Sequence, residues 1–147
     1  MSEQLYLKGN MSASSRQRLL AAAIVLATLA VLIYVSLFNP VGGSAFYPSC
    51  PLYSLTGLYC PGCGSTRALH QLLHGHLVTA FGFNLLMVLA VPLIVYAYLS
   101  YALLAIRGRG LPRVFVPPAL LKALLWVIVA FVILRNIPLY PFSLLAP

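Results

Sequence analysis

Cys60-Pro61-Gly62-Cys63 sets two thiols two residues apart, and Cys50 stands ten residues upstream of the first. Thiolates attack disulfides, form bridges and bind soft ions, so three chemistries fit the trio: thiol–disulfide exchange, metal coordination, or a bridge that only staples a turn. In the redox reading Cys60 and Cys63 are the exchanging pair and Cys50 is the resolving thiol. Ser65 or Thr66 can cap a helix just beyond the pair, and a helix N-terminus favours thiolate, although Gly64 holds Cys63 back from the first turn. In the metal reading Cys60-Pro-Gly-Cys63-Gly64 has the form of a knuckle, whose tight turn aims two thiolates at one ion and frees backbone amides for the sulfurs. Cys50, His70 and His74 are the further donors for a zinc site of three cysteines and one histidine, the two histidines lying one helical turn apart. In the staple reading Cys50 bridges to Cys60 or Cys63, and the histidines are ordinary polar residues at a wet interface. Three cysteines leave one thiol over in any single-bridge scheme. A c-type haem is excluded, because Gly64 follows Cys63 where a histidine is required.

These side chains sit in a chain that is mostly apolar. Of its 147 residues 62% are hydrophobic and 7% charged, too little polar surface to cover a soluble globule. The expected fold class is an all-α membrane protein: three transmembrane helices, plus a short amphipathic helix after a Cys-rich connector. Residues 19–38 carry no charge, and such a helix, rising about 1.5 Å per residue, spans a hydrocarbon core of about 30 Å. The first span is therefore set at 18–38. Its length exceeds the core of a signal peptide, and only a weak small-residue site follows at 43–45, so an uncleaved anchor is expected. The second span, 84–106, contains Pro92, which a membrane helix tolerates with a kink when its neighbours satisfy the freed carbonyl. The third, 117–136, opens on Pro117 and Pro118 and carries Lys122 near enough to its end to snorkel.

Orientation follows from the basic residues. Lys8, Arg16 and Arg18 lie in or beside the 1–17 tail, while Arg107, Arg109, Arg113 and Lys122 lie in or beside the 107–116 loop. With three crossings these regions share a face, leaving Arg67 and Arg135 on the other, so the first face is expected to be cytoplasmic. The connector, 39–83, and the tail, 137–147, are then exoplasmic, in the inner (plasma) membrane of a cell. The net charge of +8 is in this light a topology signal. Nucleic acid is excluded as a partner because the positive residues are split between a tail and a short loop. The partners expected are the lipid bilayer and a membrane protein complex.

Within the connector, residues 39–64 are rich in Pro, Gly and Tyr and are expected to be irregular, with Phe46, Tyr47, Tyr53 and Tyr59 suited to the headgroup layer. Beyond them Ala68, Leu69, Leu72, Leu73 and Leu77 recur at helical spacing against Arg67, His70, Gln71 and His74, which predicts one amphipathic helix over 65–79 at the outer leaflet. Arg67 stands in its first turn, where the helix dipole disfavours a cation. The only acidic side chain, Glu3, is expected across the membrane from it. Its partners are then backbone carbonyls, a lipid phosphate, the Pro147 carboxylate, an anionic ligand or an acidic subunit. The same scarcity of acids excludes carboxylate-pair glycosidase and zincin chemistry.

Cys50-Pro51, then Leu55-Thr56-Gly57-Leu58-Tyr59-Cys60-Pro61-Gly62-Cys63-Gly64-Ser65-Thr66-Arg67-Ala68, followed by Leu72-Leu73-His74-Gly75 and Asn84, resembles a bacterial integral membrane family labelled domain of unknown function 2752. The resemblance covers about residues 47–95 and rests on a Cys-Pro-x-Cys-Gly-x-Thr-Arg core. The family pattern has proline where Leu85 stands and an acidic or amide residue where His76 stands. The resemblance implies the membrane architecture and singles out the motif, and it names no reaction. The favoured reading at this level is an accessory or binding subunit whose Cys box shapes an interfacial cap, with Arg67 as the ligand or partner contact. The alternative is a membrane thiol–disulfide oxidoreductase, or a zinc-binding protein, built on Cys60 and Cys63.

Overall fold

The computed structural model describes residues 13–40, 47, 50–112, 114 and 116–147. Glu3, Lys8, Phe46, Arg113 and the 43–45 site lie outside the described residues. Among the described residues every regular element is a helix, with no strand. Its elements are α1 (Ser15–Leu37), α2 (Pro51–Thr56), α3 (Ser65–Leu73), α4 (Leu77–Phe83), α5 (Leu85–Arg107), α6 (Pro118–Arg135) and a 3-10 turn (Phe142–Leu145). Helices α1, α5 and α6 are long and apolar enough to cross a membrane. Large apolar side chains such as Leu19, Leu26, Leu93 and Trp126 are exposed along them, as lipid-facing side chains are. Pro92 sits inside α5 without ending it.

The chain divides into two compact units, residues 1–32 with 92–114 and residues 33–91 with 115–147. In the first, α1 begins three residues earlier than the sequence suggests, because Ser14 and Gln17 form a reciprocal cap. The Ser14 N–H donates to Gln17 Oε1 at 3.0 Å and the Gln17 N–H donates to Ser14 Oγ at 3.4 Å. Arg18 then reaches the far end of α5, where its Nε and Nη2 donate to the Ala105 and Ile106 carbonyls at 3.2 and 2.9 Å. A guanidinium on the last carbonyls of a helix suits both their lone pairs and the helix dipole. The Ala13 N–H donates to the Gly108 carbonyl at 2.9 Å, so the start of α1 and the end of α5 are joined side by side. The loop after α5 folds back on its own helix through Ser100 Oγ, which accepts the Leu111 N–H at 3.0 Å, and through the Tyr96 hydroxyl, which donates to the Pro112 carbonyl.

The second unit holds the connector, and two expectations change there. Residues 39–64 are not irregular throughout: α2 forms with Pro51 at its start, where the missing N–H costs nothing, and Gly57 (φ 72°) ends it. The single amphipathic helix over 65–79 is instead two helices. The chain leaves α3 through Gly75 (φ 78°), and α4 starts afresh with the His76 carbonyl accepting the Ala80 N–H at 3.0 Å. His76 Nδ1 and Gln71 Oε1, 2.9 Å apart, hold that corner. The break lets α3 and α4 fold against each other over Ala68, Ala80 and Val88, with Leu72, Phe81, Phe83 and Met87 around them. Leu77, expected on the α3 stripe, belongs to α4. The 137–147 tail closes on this unit, and its last residue packs against Gly64.

Gly64 has φ +80°, and a Cβ there would collide with the Phe83 carbonyl oxygen and come within 2.7 Å of Pro147 Cβ. Gly75 has φ +78° with nothing within 4 Å of the corresponding point. Gly64→Ala should therefore cost about 2 kcal/mol or more, combining backbone strain with a collision that backbone cannot avoid. Gly75→Ala should cost only about 1 kcal/mol of left-handed strain. Thermal unfolding in detergent should rank them in that order, and equal losses would mean that Gly64 is not tightly enclosed.

Candidate functional site

The Cys60–Cys63 segment is a tight turn between α2 and α3, closed by the Cys63 N–H donating to the Cys60 carbonyl at 3.1 Å and the Ser65 N–H donating to the Gly62 carbonyl at 3.0 Å. Side chains at helix ends hold it from two directions. From the end of α6, Arg135 Nη1 donates to the Cys60 carbonyl at 2.9 Å and Nη2 to the Cys63 carbonyl at 3.1 Å. Next to it Asn136 pairs with Tyr59 both ways, accepting its N–H at 2.8 Å and donating to its carbonyl at 3.0 Å. From the head of α5, Asn84 Nδ2 donates to the Pro61 and Cys63 carbonyls and to Ser65 Oγ at 2.9 to 3.1 Å, while its Oδ1 accepts the Met87 N–H at 3.0 Å. Arg135 and Asn84 are each 1% exposed, the largest fully buried side chains among the described residues. The two Arg135 bonds are charge-assisted and contribute about 1.5–3 kcal/mol each, and with the asparagine bonds they fix the turn without any sulfur–sulfur bond. The Arg135 guanidinium also lies 4.8 Å from the Phe131 ring centroid and 5.7 Å from that of Tyr59, and Tyr59 stacks on Tyr53 at 4.7 Å.

The turn and the start of α2 bring the three sulfurs together. Cys60 Sγ lies 3.1 Å from Cys63 Sγ and 3.5 Å from Cys50 Sγ, and all three donors fall within 4.8 Å of one another. These separations exceed the about 2.05 Å of a disulfide, and the three half-buried thiols are free. The Cys60 N–H donates to Cys63 Sγ at 3.3 Å. Two of the thiols ionise far apart. Cys50, at the head of α2, is lowered to about 7, first by the first-turn amide of Tyr53 and then by the neighbouring thiols. Cys63 is pushed up to about 12, chiefly by burial and then by the other two thiols.

Of the residues singled out in the sequence, the structure assembles Cys50, Cys60 and Cys63 and leaves the histidines out. His70 on α3 and His74 at its C-terminal cap do lie together, with rings 4.3 Å apart, but His70 turns to α1. The buried His70 Nδ1 lies 2.7 Å from the Val35 carbonyl, and His74 Nδ1 lies 2.8 Å from the His70 carbonyl. The expected donor set of three cysteines and one histidine is thus a set of three cysteines alone among the described residues. Arg67 stands 6.0 Å over the Phe83 ring and makes no hydrogen bond or ion pair with a described residue. The arginine built into the site is Arg135. One signal in the sequence could have found it: the absence of acids applies to Arg135 as much as to Arg67, and Asn136 follows it.

Residues 50–98 match the profile of the family described as "Protein of unknown function (DUF2752)". The resemblance read from the Cys-Pro-Gly-Cys box therefore holds over the three cysteines, Arg67, the histidines and Asn84, and the match stops before Arg135 and Asn136. No curated protein and no solved structure matches the chain.

In the reduced protein Cys50 should alkylate well ahead of Cys63, its rate rising with pH through about 7, while Cys63, at about 12, stays unreactive at neutral pH. Peptide-resolved mass spectrometry of iodoacetamide-pulsed samples measures this. Labelling of Cys63 ahead of Cys50 would contradict it.

Proposed function

We propose that the chain is a membrane subunit for thiol–disulfide exchange, with Cys60 at the centre of a three-sulfur relay. The observation that carries the reading is the place of Cys60, whose Sγ has Cys63 Sγ at 3.1 Å on one side and Cys50 Sγ at 3.5 Å on the other. A stapling role is less well supported, because Arg135, Asn84 and Asn136 shape the cap while the thiols are free. A cation on the turn carbonyls also favours an anionic sulfur centre.

The Cys50 thiolate attacks one sulfur of a partner's disulfide, forming a mixed disulfide and releasing the partner's first thiolate, which takes a proton from solvent. Cys60 loses its proton and attacks Cys50 Sγ, forming a Cys50–Cys60 bridge and releasing the partner's second thiolate. Cys63 loses its proton and attacks Cys60 Sγ, and Cys50 departs as thiolate. The net result is two thiols oxidised to the Cys60–Cys63 disulfide and one partner disulfide reduced by the same two electrons, with the reverse direction equally open. Cys50, lowered to about 7, is the better leaving group, and Cys63, at about 12, is the sulfur least suited to remain ionised. The Cys60–Cys63 bridge is therefore the resting oxidised form.

The division of basic residues supports an exoplasmic Cys box in a plasma membrane, where disulfides persist. The partner is then a protein or small-molecule disulfide that reaches the membrane surface.

Serine variants test the relay with oxidised glutathione as substrate. Cys60→Ser should accumulate a mixed disulfide on Cys50, Cys63→Ser should stop at a Cys50–Cys60 bridge, and Cys50→Ser should exchange at least about tenfold more slowly. Exchange by Cys50→Ser at the wild-type rate would sink the relay.

A further inference from the structure

We propose that the reduced sulfur trio is also a binding site for one divalent thiophilic cation of the zinc class, held by Cys50, Cys60 and Cys63 with Arg135 as counter-charge. This goes beyond disulfide exchange and does not depend on it. The donor geometry is the first support. Metal–sulfur bonds of about 2.3 Å in a tetrahedral arrangement set sulfurs about 3.8 Å apart, and here two pairs stand at 3.1 and 3.5 Å with all three inside 4.8 Å. To receive the ion the two close pairs open by about 0.7 and about 0.3 Å, while the third stays inside the separation already set.

The second support is independent of the sulfurs. Arg135 is 1% exposed, its Nε has no hydrogen-bond partner, and its other two nitrogens meet only the Cys60 and Cys63 carbonyls. The chain's single acidic side chain is Glu3, outside the described residues, so no carboxylate side chain there neutralises this buried cation. A buried charge calls for an opposite one nearby. A divalent ion on three thiolates carries one net negative charge, which matches Arg135. A monovalent soft ion on the same three thiolates would carry two and leave one unmatched. Oxidation of Cys60 and Cys63 to a disulfide is the alternative state of the same sulfurs. The two states exclude each other, because the bridge removes two of the three donors.

The cluster has no fourth donor among the described residues. Three protein ligands leave a position open for water, as in sites whose ion is accessible. The half-buried sulfurs put that position in reach of solvent, which makes the ion exchangeable.

Cobalt(II) titration of the full-length reduced chain in detergent under anaerobic conditions tests this, followed by displacement with zinc. One cobalt per chain with a thiolate-to-cobalt charge-transfer band is expected in the wild type, and no band once the Cys60–Cys63 bridge has been formed with dithiodipyridine. Cys50→Ser should weaken zinc binding at least about tenfold and dim the band. Arg135→Gln should also weaken it at least about tenfold, whereas Arg135→Lys, which keeps the charge, should stay within about threefold. A wild type without the cobalt band, or Cys50→Ser binding as tightly as wild type, would overturn the ion site even if disulfide exchange is intact. Equal losses in Arg135→Gln and Arg135→Lys would overturn the counter-charge. Cobalt binding by a chain that exchanges no disulfide would overturn the relay and leave this site standing.

Discussion

The guanidinium of Arg135 on the carbonyls of Cys60 and Cys63 is the interaction on which the rest of the site depends. A buried cation without an acid is costly wherever it sits, and more so at the end of an apolar helix. Here its cost is met by two carbonyls, two aromatic faces and an adjacent set of sulfurs. Because the guanidinium is planar with a fixed fork, it sets the distance and direction between the two carbonyls it binds. Those carbonyls belong to the two cysteines, so Arg135 in effect sets the Cys-Pro-Gly-Cys turn. Asn84 adds the same constraint from the head of α5 and shares the Cys63 carbonyl with Arg135.

The consequence for chemistry is a division of labour. Hydrogen bonds from helix ends hold the backbone, and the sulfurs are left free to change state. Cys50 arrives from a different element, the head of α2, so its position depends on a short helix started by Pro51 and stopped by Gly57. That origin also separates the thiols chemically: first-turn amides favour the Cys50 thiolate, while burial disfavours that of Cys63. A trio whose two outer thiols ionise far apart, with Cys60 between them in space, is suited to passing a bond from sulfur to sulfur. The same three donors, all reduced, are suited to sharing an ion.

The membrane-spanning helices were legible in the sequence because hydrocarbon demands long uninterrupted apolar runs. The earlier start at Ser15 comes from the Ser14–Gln17 cap, a four-residue signal that hydropathy overlooks. The connector was less legible. Apolar spacing ran through Leu73 to Leu77 as if along one helix, but Gly75 allowed a corner and the burial of Ala68 against Ala80 favoured it. The thiols were identified by type and spacing. Their neighbours in the fold were not legible, because Arg135 and Asn136 are more than seventy residues away and are brought in only by the packing of α6. Composition marks a polar residue at the end of a span as an anchor, and only the fold reveals that it faces inward.

Three sulfurs that act as a single two-electron centre passing through Cys60 must titrate together. The most direct measurement is an equilibrium titration of the purified chain against glutathione redox buffers, with each cysteine's state mapped by peptide mass spectrometry. One two-electron transition is expected, ending in the Cys60–Cys63 bridge with Cys50 free. A terminal bridge containing Cys50, or three thiols that stay reduced at every ratio, would contradict it.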